Sequence, residues 1–103
     1  MKVDRWDVGR DGPLDQAALA ASLERQGHMV ERYVYPPGTY FSDHTHNVDK
    51  IDAVLSGTFR ISTTEGSVDV GPGDAIHVPC GVVHSAEVVG DQPVVSLDAV
   101  KVQ

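Results

Sequence analysis

The stretch SDHTHNVDKID holds two imidazoles, His44 and His46, two residues apart, with an ammonium at Lys50 and a carboxylate at Asp52 just beyond. A third histidine, His84, comes after GDAIHVPCGVV. Side chains along a strand alternate faces with a period of two. A continuous strand through this stretch would put His44, His46, Val48, Lys50, Asp52 and Val54 on one face, and Ile51, Ala53 and Leu55 on the other. The first face is polar and chargeable. Inside a protein such groups must be paired or liganded, so the alternation predicts a lined pocket. Two histidines from one segment and one from a distant segment form a common ligand set for a divalent metal.

The elements that must position these residues are read from the texture of the chain. In PLDQAALAASLERQG, Leu14, Ala18 and Ala21 with Leu19 and Leu23 make an apolar stripe at helical spacing. Pro13 suits a first turn, Asp11 or Gly12 an N-cap, and Gly27 a C-terminal stop. From Met29 onward, short runs rich in Val, Ile, Tyr and Thr alternate with Gly, Pro and Asp. Seven or eight short strands separated by turn residues predict an all-β sandwich or barrel. Ser56-Gly57 reads as a tight hairpin connection. The apolar face of Ile51, Ala53 and Leu55 needs cover, from the N-terminal helix or a second subunit.

Bulk properties narrow the function. The 103 residues suit one domain, 41% hydrophobic residues make it globular, and the net charge of −7 argues against nucleic acid. The single cysteine, Cys80, permits no intramolecular disulfide, and no run reaches the length of a membrane span. The N-terminal stretch MKVDRWDVGRDG lacks the apolar core of a secretory signal. A cytoplasmic protein that does not bind membranes is expected.

Two segments resemble the cupin family. GTYFSDHTHNVDKIDAVLSG is similar to its first motif, with Gly38, His44, His46 and Gly57 on the motif positions. GDAIHVPCGVVHSAEV is similar to the second, with Gly73, Pro79, Gly81 and His84 in place and Val88 where an asparagine often stands. The resemblance implies a double-stranded β-helix, a small jelly-roll-like barrel over residues 29–103, with residues 1–28 as an arm and helix packed on it. It also implies a metal site with His44, His46 and His84 as ligands, for iron, manganese, zinc or nickel, and a homodimer. The family's usual fourth ligand, a glutamate, is replaced by Lys50. An ammonium has no lone pair and repels a cation.

Three arrangements stay open. The three histidines hold a metal with water completing the shell; Asp52, or less favourably Asp49 or Asp43, approaches the ion; or the histidines and Lys50 bind an anionic small molecule directly. Lys50 and Asp52 are the candidate catalytic groups, handling charge and protons. The expected function is a dioxygenase- or isomerase-like activity on a small anionic or oxygen-rich molecule. The alternative is a non-catalytic cupin that binds or senses a small molecule. His77 is expected to be hydrogen-bonded on a strand, His28 to sit at the helix C-terminus, and Cys80 to be a turn residue.

Overall fold

The computed structural model describes residues 1–102. The chain runs β1 (Val3–Arg5), α1 (Val8–Asp11), α2 (Gln16–Arg25), β2 (His28–Tyr35), β3 (Tyr40–His44), β4 (Lys50–Ser56), β5 (Thr58–Thr63), β6 (Gly66–Val70), β7 (Asp74–Val78), β8 (His84–Val89) and β9 (Val94–Lys101). The strands form two antiparallel sheets, ordered β1-β7-β4-β9-β2 and β3-β8-β5-β6. Between them Val54, Phe59, Ile61, Val70, Ile76 and Val88 pack into an interior core. No helix of the described residues is long and apolar enough to cross a membrane.

The helix forms where the apolar stripe predicts, but begins later. Asp15, not Asp11 or Gly12, is its N-cap, and the Asp15 carboxylate accepts from the Ala18 N–H at 2.8 Å. Pro13 therefore precedes the helix. Asp7 caps the additional short turn α1, and the polar arm contributes β1, which pairs with β7. At the far end Gly27 takes a positive φ of 91°, and the His28 ring lies 3.2 Å from the Leu23 carbonyl.

Leu19 and Leu23 of α2 pack on Ile51, Ala53, Ala75, Leu97 and Ala99, with Leu55 at the edge of the cluster. The outer face of the five-stranded sheet is thus covered by the chain's own helix, which satisfies the apolar face of β4 without a second subunit.

Two connections differ from the sequence reading. The strand through SDHTHNVDKID is not continuous: β3 ends at His44, residues 45–49 cross the barrel, and β4 starts at Lys50 in the other sheet. Ser56-Gly57 is likewise no hairpin, because β4 and β5 belong to different sheets. Gly57, at φ 82°, turns this corner, and a Cβ there would lie 2.9 Å from the Val94 Cα. Alternation fixes the faces within a strand, but it does not reveal where a strand breaks to change sheets.

Leu23 is 2% exposed at the contact between α2 and the sheet. Leu23→Ala is expected to destabilise the fold by about 2–5 kcal/mol. Equilibrium urea unfolding measures this, and a loss well under 1 kcal/mol would mean that α2 is not a structural part of the core.

Candidate metal and ligand site

The β3–β4 crossing delivers the first two histidines. His44 closes β3 directly opposite His84, the first residue of β8. His46 lies two residues further, in the crossing itself. Two bonds fix this segment to the loop between β7 and β8. The Gly81 N–H donates to the His46 carbonyl at 2.9 Å, and the Cys80 N–H donates to the Asp49 carboxylate at 2.8 Å. Gly81 reaches that position with a φ of 81°, which only glycine adopts at no cost. Asp49 is therefore a structural acceptor rather than a ligand, and Asp43 is exposed on β3.

The three imidazoles converge as the spacing predicts. One ring nitrogen from each of His44, His46 and His84 lies within 4.8 Å of the others, and ring centroids are 4.3–5.1 Å apart. Their nitrogens are set by their neighbours. His44 Nδ1 lies 2.7 Å from the Ser42 carbonyl and His84 Nδ1 2.9 Å from the Val82 carbonyl. A carbonyl oxygen only accepts, so each Nδ1 carries a proton, which leaves Nε2 as the nitrogen able to offer a lone pair. His46 Nε2 is buried and has no hydrogen-bond partner among the described residues. Burial, with the nearby Lys50 and the other two rings, holds the His46 pKa below the ordinary imidazole value, which keeps the ring neutral. A buried ring nitrogen without a partner is costly, whether it carries a proton or a lone pair. A divalent ion would satisfy it, so the donor set fits a metal.

The cavity beside the rings measures about 160 Å³, and Lys50, Asp52, Asp98, Tyr35, Phe41 and Phe59 complete its walls with Ala86. Lys50 Nζ lies 3.3 Å from Asp52 Oδ1 and 3.1 Å from Asp98 Oδ2. Asp98 also accepts from the Ser96 hydroxyl at 2.8 Å and from the Tyr35 hydroxyl at 3.2 Å. Burial by itself would lower the Lys50 pKa, but the two carboxylates overcome it and hold the ammonium above its ordinary value. Burial pushes the Asp52 carboxyl up; Lys50 opposes this and the charge of Asp98 reinforces it. Burial, then Asp98, raises Tyr35 as well.

The expected pairing of Lys50 with Asp52 is present, but Asp98 is a second partner that the sequence reading missed. The signal was in VVSLDAV, where Ser96 and Asp98 alternate with Leu97 and Ala99. Asp52 and Asp98 stand directly opposite each other on β4 and β9. Like charges so placed repel, and the ammonium between them relieves the repulsion. His77 does not reach this cavity: its ring meets Asp4 at 2.7 Å on the helix side of the sheet.

The fold agrees with known proteins. A cupin-2 domain protein from Shewanella frigidimarina superposes with a TM-score of 0.61 at 18% identity, covering 70% of this chain and 68% of that one. A predicted oxalate decarboxylase from Thermotoga maritima gives 0.65 at 21%, covering 82% and 74%. The DMSP lyase DddQ from Ruegeria pomeroyi gives 0.66 at 23%, covering 75% of this chain but 39% of the lyase. At these identities the likeness is one of fold. No curated protein matches the sequence. The cupin domain family model matches residues 31–100, which contain both histidine segments and most of the two sheets, and this chain belongs to the cupin family.

Proposed function

We propose that His44, His46 and His84 hold one divalent metal ion, and that the adjoining cavity takes a small oxygen-bearing molecule for isomerase-like proton-transfer chemistry. The observation that carries this reading is the buried, partnerless Nε2 of His46 beside two rings whose Nδ1 protons are committed to backbone carbonyls. When bound, the ion supplies Lewis acidity towards a ligand oxygen. The remaining steps belong to the chain. Asp52 lines the cavity and is placed to accept and return a proton. Lys50 steadies charge that develops on Asp52 or on the ligand, and Asp98 with Tyr35 and Ser96 holds Lys50 in position. The aromatic walls restrict access of water.

The ammonium has two carboxylates as partners, so it is not a free attractor for anions. A hydroxyl-bearing ligand, which donates to Asp52, suits the cavity better than a purely anionic one. The same closed charge arrangement favours the second reading, a cupin that binds or senses such a molecule without turning it over.

Stripping the protein with chelator should lower its thermal midpoint, and returning the ion should restore it. At an ion concentration one hundred times Kd the stabilisation is about 2.7 kcal/mol. His46→Ala and His84→Ala should abolish the response, while Asp52→Asn should keep it. Calorimetry with elemental analysis reads this, and an unresponsive wild-type protein would refute the metal site.

A carboxyl raised in the fold favours the folded state fully below its unfolded value of about 3.9. That contribution is lost as pH rises through the folded value. Asp52→Asn should therefore change stability relative to wild type by an amount that varies with pH above about 4. Denaturant unfolding of both proteins between about pH 4 and 8 measures the difference. A constant difference would show that Asp52 does not hold a displaced proton equilibrium.

A further inference from the structure

A second concavity adjoins the histidine cavity. It measures about 390 Å³, and His46, Lys50 and Asp98 line both spaces. Its other walls are Met29, Glu31, Tyr33, Val48 and Val100. The sheet register explains them. Met29 pairs with Val100 and Val100 with Lys50, while Glu31 pairs with Asp98 and Asp98 with Asp52. Directly paired residues share a face, so Met29, Glu31 and Tyr33 continue the inner face that carries Lys50 and Asp52. At β4 this face is buried inside the barrel. At β2, the sheet edge, it emerges: Met29 is 67% exposed and Tyr33 42%.

The emerging shelf has little unspent polarity. The Tyr33 hydroxyl donates to the Glu31 carboxylate at 2.6 Å, and Asp98 is occupied by Lys50, Ser96 and Tyr35. What faces the groove is a thioether, two isopropyl groups and a phenol ring. The carboxylates at its base would repel a second acidic group. The inner cavity, by contrast, measures about 160 Å³, close to the roughly 150 Å³ that encloses one benzene.

Resting on the reading that the histidines hold a metal, we propose that the ligand has two parts. A compact oxygen-bearing head enters the histidine cavity. An uncharged apolar arm leaves past Lys50 and lies along Met29, Val48, Tyr33 and Val100. The arm, rather than a second copy of the chain, is the occupant because the groove shares three walls, His46, Lys50 and Asp98, with the cavity.

Acetohydroxamate and hexanohydroxamate share a metal-chelating head and differ only in alkyl length. Titrated into cobalt(II)-loaded protein and followed by the cobalt absorption spectrum, the longer probe should bind at least about tenfold more tightly, from the burial of its added methylenes. Met29→Glu should erase that preference and leave acetohydroxamate affinity unchanged, and Val48→Asn tests the facing wall. Equal affinity for the two probes in the wild type would overturn the arm while leaving the metal reading intact. So would a preference that survives both substitutions. A shift from dimer to monomer in Met29→Glu with the preference retained would make the shelf a subunit interface and overturn the proposal. Failure of cobalt to bind at all would instead remove the metal reading, and the arm with it.

Discussion

A half-buried ammonium held between two carboxylates sets the charge balance inside this barrel. Lys50 begins β4, Asp52 follows it on the same face, and Asp98 meets both from β9. None of the three would be tolerated alone in the interior, where removing one partner of a buried ion pair costs about 3–5 kcal/mol. Together they fix one another's rotamers. Because the ammonium is already balanced, Lys50, which has no lone pair to offer a cation, is also not free to draw in an anion. It separates two carboxylates that would otherwise repel across the strand pair.

The histidines depend on a different constraint, the backbone pins between the two motif segments. Residues 45–49 have no strand partner along their length and cross from one sheet to the other. The Gly81–His46 and Cys80–Asp49 bonds hold them against the β7–β8 loop. Each segment thereby positions the other: the loop that leads into His84 also anchors the backbone of His46. Carbonyls of Ser42 and Val82, two residues before His44 and His84, select the ring tautomers. The site is therefore pre-organised by main-chain groups together with the Asp49 carboxylate, with Gly81 at a positive φ in the loop.

Much of this was legible in the sequence, for reasons that can be named. His44, His46 and His84 carry motif spacing, and the motif encodes where the backbone turns. The apolar stripe of α2 and the alternation of β4 each report burial on one side, and the two surfaces meet as complementary faces. The strand break at residues 45–49 was not legible, because period-two alternation survives a change of sheet when the chain re-enters in phase. Gly57 was read as a hairpin glycine for a similar reason: a positive φ marks a sharp turn without telling which strand lies beyond it. Asp98 was hidden by distance. Its partner Lys50 is 48 residues away, and only the register of β4 against β9 brings them together. The N-cap was misplaced because several capping residues, Asp7, Asp11 and Asp15, stand in one short arm, and which of them starts a helix depends on how the arm packs.

The inner face of the five-stranded sheet changes character along one direction, and this links the interior to the surface. From β4 to β9 to β2, paired positions run from Lys50 through Val100 to Met29, and from Asp52 through Asp98 to Glu31. The acidic row continues outward to Glu31, and the row that starts at the ammonium becomes apolar. Within the barrel the two rows are tied by the Lys50 contacts. At the edge they part, with Glu31 turned to Tyr33 and Met29 left to solvent. An isolated exposed methionine on an edge strand needs no explanation. A methionine that extends the wall of a chargeable cavity, beside two valines and a phenol, is different, since each group faces the same path to the three imidazoles. The outer face of the same sheet is covered by Leu19 and Leu23, whereas its inner face emerges at β2, so the register that pairs the charges also brings the apolar row to the surface.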